Sequence, residues 1–320
     1  MIFRLFGRGV DADARTRTLL AIGSFLLPLL AWCVVSYAPF VWHPKVLVTD
    51  PGGVDYFQVD MLVDKAMFKD EVANMAQAHL ALPQGTPANP IYLPAPDDVA
   101  KAFYNGFVHP PKSTDVPSMP ASLWHSIQII FWGFLISSLI GVPLGIVSGT
   151  YNLVGRLNEP FIEFFRYLPA PAFGALAVAI LGIYDGPKIA IIVIGTLFQQ
   201  VLIIANTTRK LEATLIEAAR TLGTRNIKLL TKVVVPGILP DLYRDQRILL
   251  GWAWTYLIVA ELIGTSSGIT WFITQQARYQ HFDNVYAAIM TIGLIGFGTD
   301  LILARLGRRL FPWDRTQDRQ

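Results

Sequence analysis

The side chains best able to do chemistry fall into two settings. In the first, Glu261 and the pair Gln199 and Gln200, with Phe198 beside them, are polar or aromatic groups inside long apolar runs. An acid in such a run costs about 2.5–3.5 kcal/mol on insertion scales and needs a partner or water. Glu261 is therefore either a pathway or gate group for a hydrophilic solute, or a buried carboxylate tying helices to a backbone amide or an arginine. Gln199 and Gln200 carry the same choice between a polar lining and interhelical hydrogen bonds worth about 0.6–2 kcal/mol. In the second setting, Glu217 to Pro236 (EAARTLGTRNIKLLTKVVVP) joins Glu217, Ala218, Ala219, Gly223 and Pro236 to four cations, Arg220, Arg225, Lys228 and Lys232. Leu215, Ala218, Ala219 and Leu222 recur at helical spacing, Gly223 suits the left-handed residue that ends a helix, and Ile227, Leu229, Leu230 and Val233 begin another. Two short amphipathic helices with an apolar ridge rimmed by charge are expected, which is the make-up of a docking surface.

Other candidates are weaker. Arg166 beside Pro169 and Pro171 reads as an inner-face anchor or an organiser of a span's inner mouth, and Asp300 as a partner for Arg305 or a neighbouring helix. His43, His79 and His109 lack metal-ligand spacing. Asp50, Asp55, Asp60 and Asp64 lack the dense oxygen spacing of a calcium loop and read as a solvated face. Cys33 is the single cysteine, so no intrachain disulfide or cysteine-based metal site can form. No glycine-rich loop ending in Lys-Ser or Lys-Thr is present, so ATP chemistry of that kind must come through another polypeptide.

The elements that position these groups are membrane spans. Of 320 residues 53% are hydrophobic and 15% charged, with mean hydropathy +0.44, where soluble domains carry about 25% charged residues. A water-soluble enzyme is disfavoured. The net charge of +3 and the absence of aromatics interleaved with basic residues exclude a nucleic-acid binder. Six apolar runs qualify as spans: Leu19–Val41, Ile127–Val147, Phe161–Tyr184, Ile189–Ala205, Ile248–Ile263 and Tyr286–Ala304. The turn signal Asp185-Gly186-Pro187-Lys188 makes the third and fourth a tight hairpin. Arg4, Arg8, Arg15 and Arg17 precede the first run, and no clean cleavage site follows it, so it reads as an uncleaved span. With the N-terminus inside, inner segments hold 19 Lys and Arg and outer ones 7, which places both termini in the cytoplasm. Glu261, thirteen residues into the fifth run, falls about 20 Å along it, toward the outer face. Gly141, Gly145 and Gly149 give the second span a smooth face for close packing.

The loop also carries a resemblance. Glu217-Ala218-Ala219, three residues, Gly223, nine residues, then Val233-x-Val235-Pro236 is similar to the EAA loop of the membrane subunits of ABC importers. From about Ala121 to Trp313 the chain looks most like the nitrate, taurine and aliphatic-sulfonate branch. The matching features are Glu163 to Pro171, Ala260-Glu261 with the turn Gly264-Thr265-Ser266-Ser267-Gly268, and Gly293, Gly296 and Asp300 before Arg308-Arg309. It departs from the branch in Phe173, in Phe198-Gln199-Gln200 and in a longer insert at about 43–90.

The resemblance implies an all-α polytopic membrane protein of six transmembrane helices with the type I ABC importer permease fold, in a bacterial inner membrane. It implies a pair of permeases, a homodimer by expectation, and ATP-binding cassette subunits that bind ATP and Mg and dock on Glu217, Ala218, Ala219, Gly223 and Pro236. It also implies a periplasmic solute-binding protein and a small anionic solute of the nitrate, sulfonate or bicarbonate kind. The chain itself would carry no cofactor and no catalytic residue. The expected layout is a cytoplasmic N-terminus (1–18), a first helix (19–42), a periplasmic insert (43–122), a core (123–313) holding the coupling loop at about 206–247, and a cytoplasmic tail (314–320). The insert holds nine acids, Asp115 among them, against five lysines, which suits a docking or dimer-facing element better than an anion funnel. The competing readings are a secondary transporter with midplane ion-coupling acids and a membrane-embedded enzyme.

Overall fold

The computed structural model describes residues 13–38, 44–59, 61–88, 92–109, 118–263 and 267–314. Arg4, Arg8, His43, Asp60, Asp115 and residues 264–266 of the turn after Glu261 lie outside the described residues. The chain divides into two compact units, 1–105 with 276–287, and 106–275 with 288–320.

In the first unit, α1 (Ala14–Tyr37) exposes its apolar side chains along most of its length, as a helix surrounded by lipid would. Near its C-terminal end the Trp32 indole N–H donates to the Pro94 carbonyl (2.9 Å) and the Tyr37 hydroxyl donates to Asp97 at the start of α3 (Pro96–Val108). Lys101, one turn on, donates to the same carboxylate at 2.8 Å, and with Tyr37 it holds the Asp97 pKa down to about 2. Between α1 and α3 lie α2 (Lys65–Gln77) and a three-stranded antiparallel sheet, β1 (Lys45–Asp50), β2 (Leu62–Asp64) and β3 (Gln84–Pro87), in the order β2-β1-β3. Val46 and Val48 of β1 alternate inward, and Val48, Val54, Phe57 and Val63 form a small core. The acidic series has local work here. The Asp50 carboxylate accepts from the Gly52 N–H (2.9 Å), and the Asp64 carboxylate caps α2 by accepting from the Ala66 N–H (3.2 Å). The sheet adds to a fold that is otherwise helical.

The second unit is built on α4 (Met119–Thr150) packed along α7 (Asp185–Arg209). Glycine makes the packing close. A Cβ on Gly133 would lie 2.7 Å from Ile192, on Gly145 2.8 Å from Ile204, and on Gly149 2.6 Å from Thr208 and the Ala205 carbonyl. Against this pair lies α10 (Val235–Ile263), which contributes Leu249, Ala253, Leu257 and Ala260 to a core shared with Ile129, Ile191 and Ile192.

Three expectations about the spans change. Phe161–Tyr184 is not one straight helix: α5 (Asn152–Arg166) stops before Pro169, a 3₁₀ turn covers Ala170–Phe173, and α6 (Gly174–Leu181) leaves at 84°. Pro169 and Pro171 supply no N–H, so the helical ladder cannot continue through them. The tight connection is Gly182-Ile183-Tyr184, with Gly182 at φ +84°. Asp185, Gly186 and Pro187 instead form the first turn of α7, where N–H groups have no intrahelical acceptor and proline costs little. The fifth run starts earlier than its apolar stretch. After α9 (Asn226–Leu229) a π-helical turn (Leu230–Val234) leads into α10, so the second short helix of the loop is continuous with the span. Pro236 lacks the N–H that would bond to the Lys232 carbonyl, and the wide turn ahead of it absorbs that missing bond.

Of the described helices, α1 from Arg15, α4, α7 and α12 (Phe282–Leu310) are long and apolar enough to cross a membrane, and the bent α5–α6 pair is a fifth candidate. The Trp252, Trp254, Tyr256 and Glu261 side chains dilute the apolar run of α10. Its polar N-terminal half is instead held by pairing. Arg247 grips Asp300 of α12 through contacts of 2.9–3.1 Å, and the Thr207 hydroxyl donates to Asp245 (2.5 Å). Asp300 thus serves a neighbouring helix, not Arg305.

Candidate functional site

The segment expected to carry the coupling loop begins with α8 (Ala213–Thr221). Ile216 and Ala219 turn inward against a cluster of Ile204, Leu229, Val234 and Ile238, whereas Glu217 and Ala218 are exposed. Gly223, at φ +84°, ends the helix: its N–H donates to the Arg220 carbonyl and the Thr224 N–H to the Ala219 carbonyl, both at 3.0 Å. This paired closure needs a left-handed residue after the helix, which glycine supplies without a steric penalty. Leu222 and Ile227, on either side of the cap, are 86% and 73% exposed, and Leu215 is also exposed. Two bare apolar side chains thus flank a basic, glycine-capped helical turn.

A second location is the break between α5 and α6. Phe165 stacks on Phe198 of α7 with ring centroids 5.2 Å apart. These two residues, with Arg166, Gln199, and Trp252 and Tyr256 of α10, line a small cleft of about 40 Å³. The Arg166 guanidinium lies over the Tyr167 ring, 4.8 Å from its centroid, and donates to the Tyr167 hydroxyl at 3.2 Å. Phe198 and Gln199 of the expected pathway therefore come together here.

Gln200, one residue on, faces the other way and is fully buried. Its carbonyl accepts from the Ser137 hydroxyl (2.7 Å), and its amide donates to the Ser138 hydroxyl (2.9 Å) and the Gln246 carbonyl oxygen (2.7 Å). That network joins α4, α7 and α10. Gly141 makes room for it, since a Cβ there would lie 2.8 Å from the Gln200 oxygen.

Glu261 is elsewhere again, 3% exposed at the far end of α10. One carboxylate oxygen accepts from the Ser126 hydroxyl of α4 (2.5 Å), the other from the Thr270 N–H (2.8 Å), and the Ile269 N–H donates to the Ser126 oxygen (2.8 Å). Ile269 and Thr270 open α11 (Ile269–Arg278), so the acid and the serine satisfy two of that helix's free N–H groups, and the negative charge sits at the positive end of its dipole. Gly268, at φ +102°, passes so close that a Cβ would lie 2.1 Å from the carboxylate. The ammonium of Lys188, itself 1% exposed, anchors the same turn by donating to the Ser267 hydroxyl at 2.6 Å, while Asp185 faces both Lys188 and His125. Sequence reasoning gave Ser126 and Lys188 no site role, since Lys188 read only as the last residue of the turn ahead of Ile189–Ala205.

Residues 141–312, which hold α8 and its glycine cap, the residues lining the cleft, and Glu261, match the family described as binding-protein-dependent transport system inner membrane component. The chain belongs to this family. The taurine transport system permease protein of Escherichia coli is 30% identical over 229 residues, 70% of this chain and 81% of the relative. The bicarbonate transport system permease protein of Synechococcus elongatus is 27% identical over 184 residues, 57% of this chain and 66% of the relative. Among solved structures, an inward-facing form of the MetNI methionine ABC transporter superposes with TM-score 0.53 at 19% identity, covering 58% of this chain and 93% of the other. The importer-permease fold expected from the loop is thereby established, and the family is one of transport permeases in the inner membrane.

Proposed function

We propose that this chain is one half of the membrane pathway of an ATP-driven importer for a small anion. A second, identical copy completes the pathway, two ATP-binding cassette subunits holding ATP and Mg dock at the Glu217–Gly223 turn, and a periplasmic binding protein delivers the solute. Both termini face the cytoplasm, in line with the 19-to-7 distribution of Lys and Arg. The insert at 43–122 serves docking or pairing, since its charge would repel anions at a distance.

The observation that carries the reading is the α8 turn: a rigid, glycine-capped element whose Leu222 and Ile227 are bare. Its inward residues are rooted in the cluster that holds the first turns of α10, so a push on α8 is transmitted to a helix that reaches the cleft and Glu261. The anion assignment rests on the taurine and bicarbonate permeases among the relatives. Within the pathway we assign Phe198 and Gln199 to the solute-facing wall, and Gln200 and Glu261 to the ties that keep α4, α7, α10 and α11 in register.

Gly223→Val tests the coupling element. The added side chain meets open space, so its effect is confined to backbone strain of about 1–2 kcal/mol in the left-handed region. The expected result is a stable permease that loses the co-purifying ATP-binding subunit and ATP-dependent uptake. Retention of both would remove α8 as the coupling element.

A further inference from the structure

We propose that α3 lies flat in the headgroup layer of the membrane and seats an apolar stripe, Ala100, Tyr104 and Phe107, in the leaflet that holds the C-terminal end of α1. The partner of this surface is phospholipid. The inference goes beyond the importer reading and involves neither a solute nor an ATP-binding subunit.

The ends of two spans set the level of α3. From Arg15 to Tyr37, α1 has 23 residues, about 35 Å at helical rise, and none of its apolar window is buried. Such a helix crosses a hydrocarbon core of about 30 Å and ends at its edge. At that end the Trp32 indole donates to the Pro94 carbonyl and the Tyr37 hydroxyl to Asp97 in the first turn of α3. The second span, α12, starts at Phe282, and its Tyr286 packs with Trp32 and Ala287 against Val99, Ala102 and Phe103 of α3. Trp32 and Tyr286 have ring centroids 5.7 Å apart, and the Tyr286 hydroxyl donates to the Tyr92 carbonyl at 3.2 Å. Tryptophan and tyrosine collect at the membrane boundary because their rings are apolar and their tips polar. Both span ends therefore place α3 at that boundary.

The sequence of α3 then divides its surface into three stripes. Val99, Ala102 and Phe103 face the two span ends. Asp97, Lys101 and Asn105, four residues apart, form an exposed polar stripe, along which Lys101 donates to Asp97 at 2.8 Å. Ala100, Tyr104 and Phe107, at i, i+4 and i+7, form an exposed apolar one. At 13 residues the helix is too short to cross a bilayer, and its polar stripe reaches water from the first turn to the third. A helix with one apolar and one polar stripe at a membrane boundary lies in the plane of the interface, with its apolar side chains about 5–10 Å deep.

Two observations favour lipid over a second protein chain. The surface that α3 adjoins is already lipid-facing, since α1 exposes its apolar side chains up to Tyr37. The stripe is also small. Tyr104 is 60% and Phe107 40% exposed, so with aromatic side chains of about 150–250 Å² each the two rings offer roughly 150–250 Å² together, where a stable protein interface takes about 800 Å² from each partner. The charge of α3 selects no anionic headgroup, because Asp97 and Asp98 outnumber Lys101. Contact is made by the apolar stripe alone.

Bimane labels on Tyr104→Cys and on Asn105→Cys, each in a Cys33→Ser background, test the placement in the full permease held in phosphatidylcholine nanodiscs. Lipid carrying a nitroxide near the headgroup should quench the label at position 104 about threefold more than the label at 105, and aqueous iodide should show the reverse order. Replacing a third of the lipid by phosphatidylglycerol should change neither ratio. Equal access of iodide to both positions overturns the proposal. So does a label at 104 shielded from both quenchers, which would assign the stripe to a protein partner such as a second copy, and so does a lipid preference that needs the anionic lipid. Should Tyr104→Cys fail to assemble, Ala100→Cys on the same stripe takes its place with the same expected and overturning results.

Discussion

Replacing Gly268 by alanine should collapse the knot around Glu261. At φ +102° an L-residue is strained by about 1–2 kcal/mol, and its Cβ would sit 2.1 Å from a carboxylate that is 3% exposed. Moving that carboxylate breaks its bond to the Thr270 N–H, the Ser126 hydroxyl, or both, and each buried group left unsatisfied costs about 1–3 kcal/mol. Together the two effects destabilise by about 2–5 kcal/mol, a fall in melting temperature of roughly 5–15 °C. Glu261→Gln should behave differently. The amide oxygen can accept from the Thr270 N–H, while the NH₂ donates to the Ser126 oxygen, whose own proton turns to the Ser122 carbonyl at 3.1 Å. All partners stay satisfied, so the loss should be under about 1 kcal/mol. The assay is thermal unfolding of the detergent-solubilised complex, with uptake normalised to assembled complex. Gly268→Ala melting with the wild type would refute the argument from geometry. A stable Glu261→Gln complex that hydrolyses ATP but fails to import would return Glu261 to the pathway.

Gly145→Val should force α4 and α7 apart, because a Cβ already meets Ile204 at 2.8 Å and the Val201 carbonyl at 2.9 Å; expression of folded permease should fall by more than half, measured by size-exclusion yield. Arg247→Ala leaves Asp300 facing a helix without its two-pronged partner and should cost about 1–2 kcal/mol, read as a lower melting temperature that Asp300→Asn in the same chain partly restores. The Asp97 carboxyl is held near 2, below its ordinary 3.8, so its pairing with Lys101 and Tyr37 contributes above pH 4 and fades as pH falls through 2; Asp97→Asn should melt earlier than wild type at pH 5 and together with it at pH 2. Tags at both termini and at Lys228 should be protected in intact spheroplasts, with a tag near Gln84 accessible; an accessible C-terminus would invert the topology.

The glycine-capped turn after α8 was legible because every signal in it is local. A helical apolar repeat, a glycine at the cap and a proline at the head of the next helix each act within a turn, and the cap forms at Gly223 as the spacing required. The stripe Gly141, Gly145 and Gly149 was legible for the same reason. The break in the third span was not, since hydropathy runs unbroken through Phe161–Tyr184 and only Pro169 and Pro171 hinted at it. The polar first half of α10 read as loop because Asp241, Arg244, Asp245 and Arg247 look solvated, and it is helical because these groups pair with Asp300, Asp314, Thr207 and one another. Strand β1 was hidden in a segment whose composition is polar and proline-rich, although Val46 and Val48 alternate.

The most direct test of the account is uptake of a radiolabelled sulfonate into proteoliposomes holding the permease, its ATP-binding subunits and the binding protein. The account predicts uptake that requires ATP on the face carrying Glu217–Gly223, survives collapse of ion gradients, and is lost with Gly223→Val. Uptake that proceeds without ATP and follows an imposed proton or sodium gradient would contradict it.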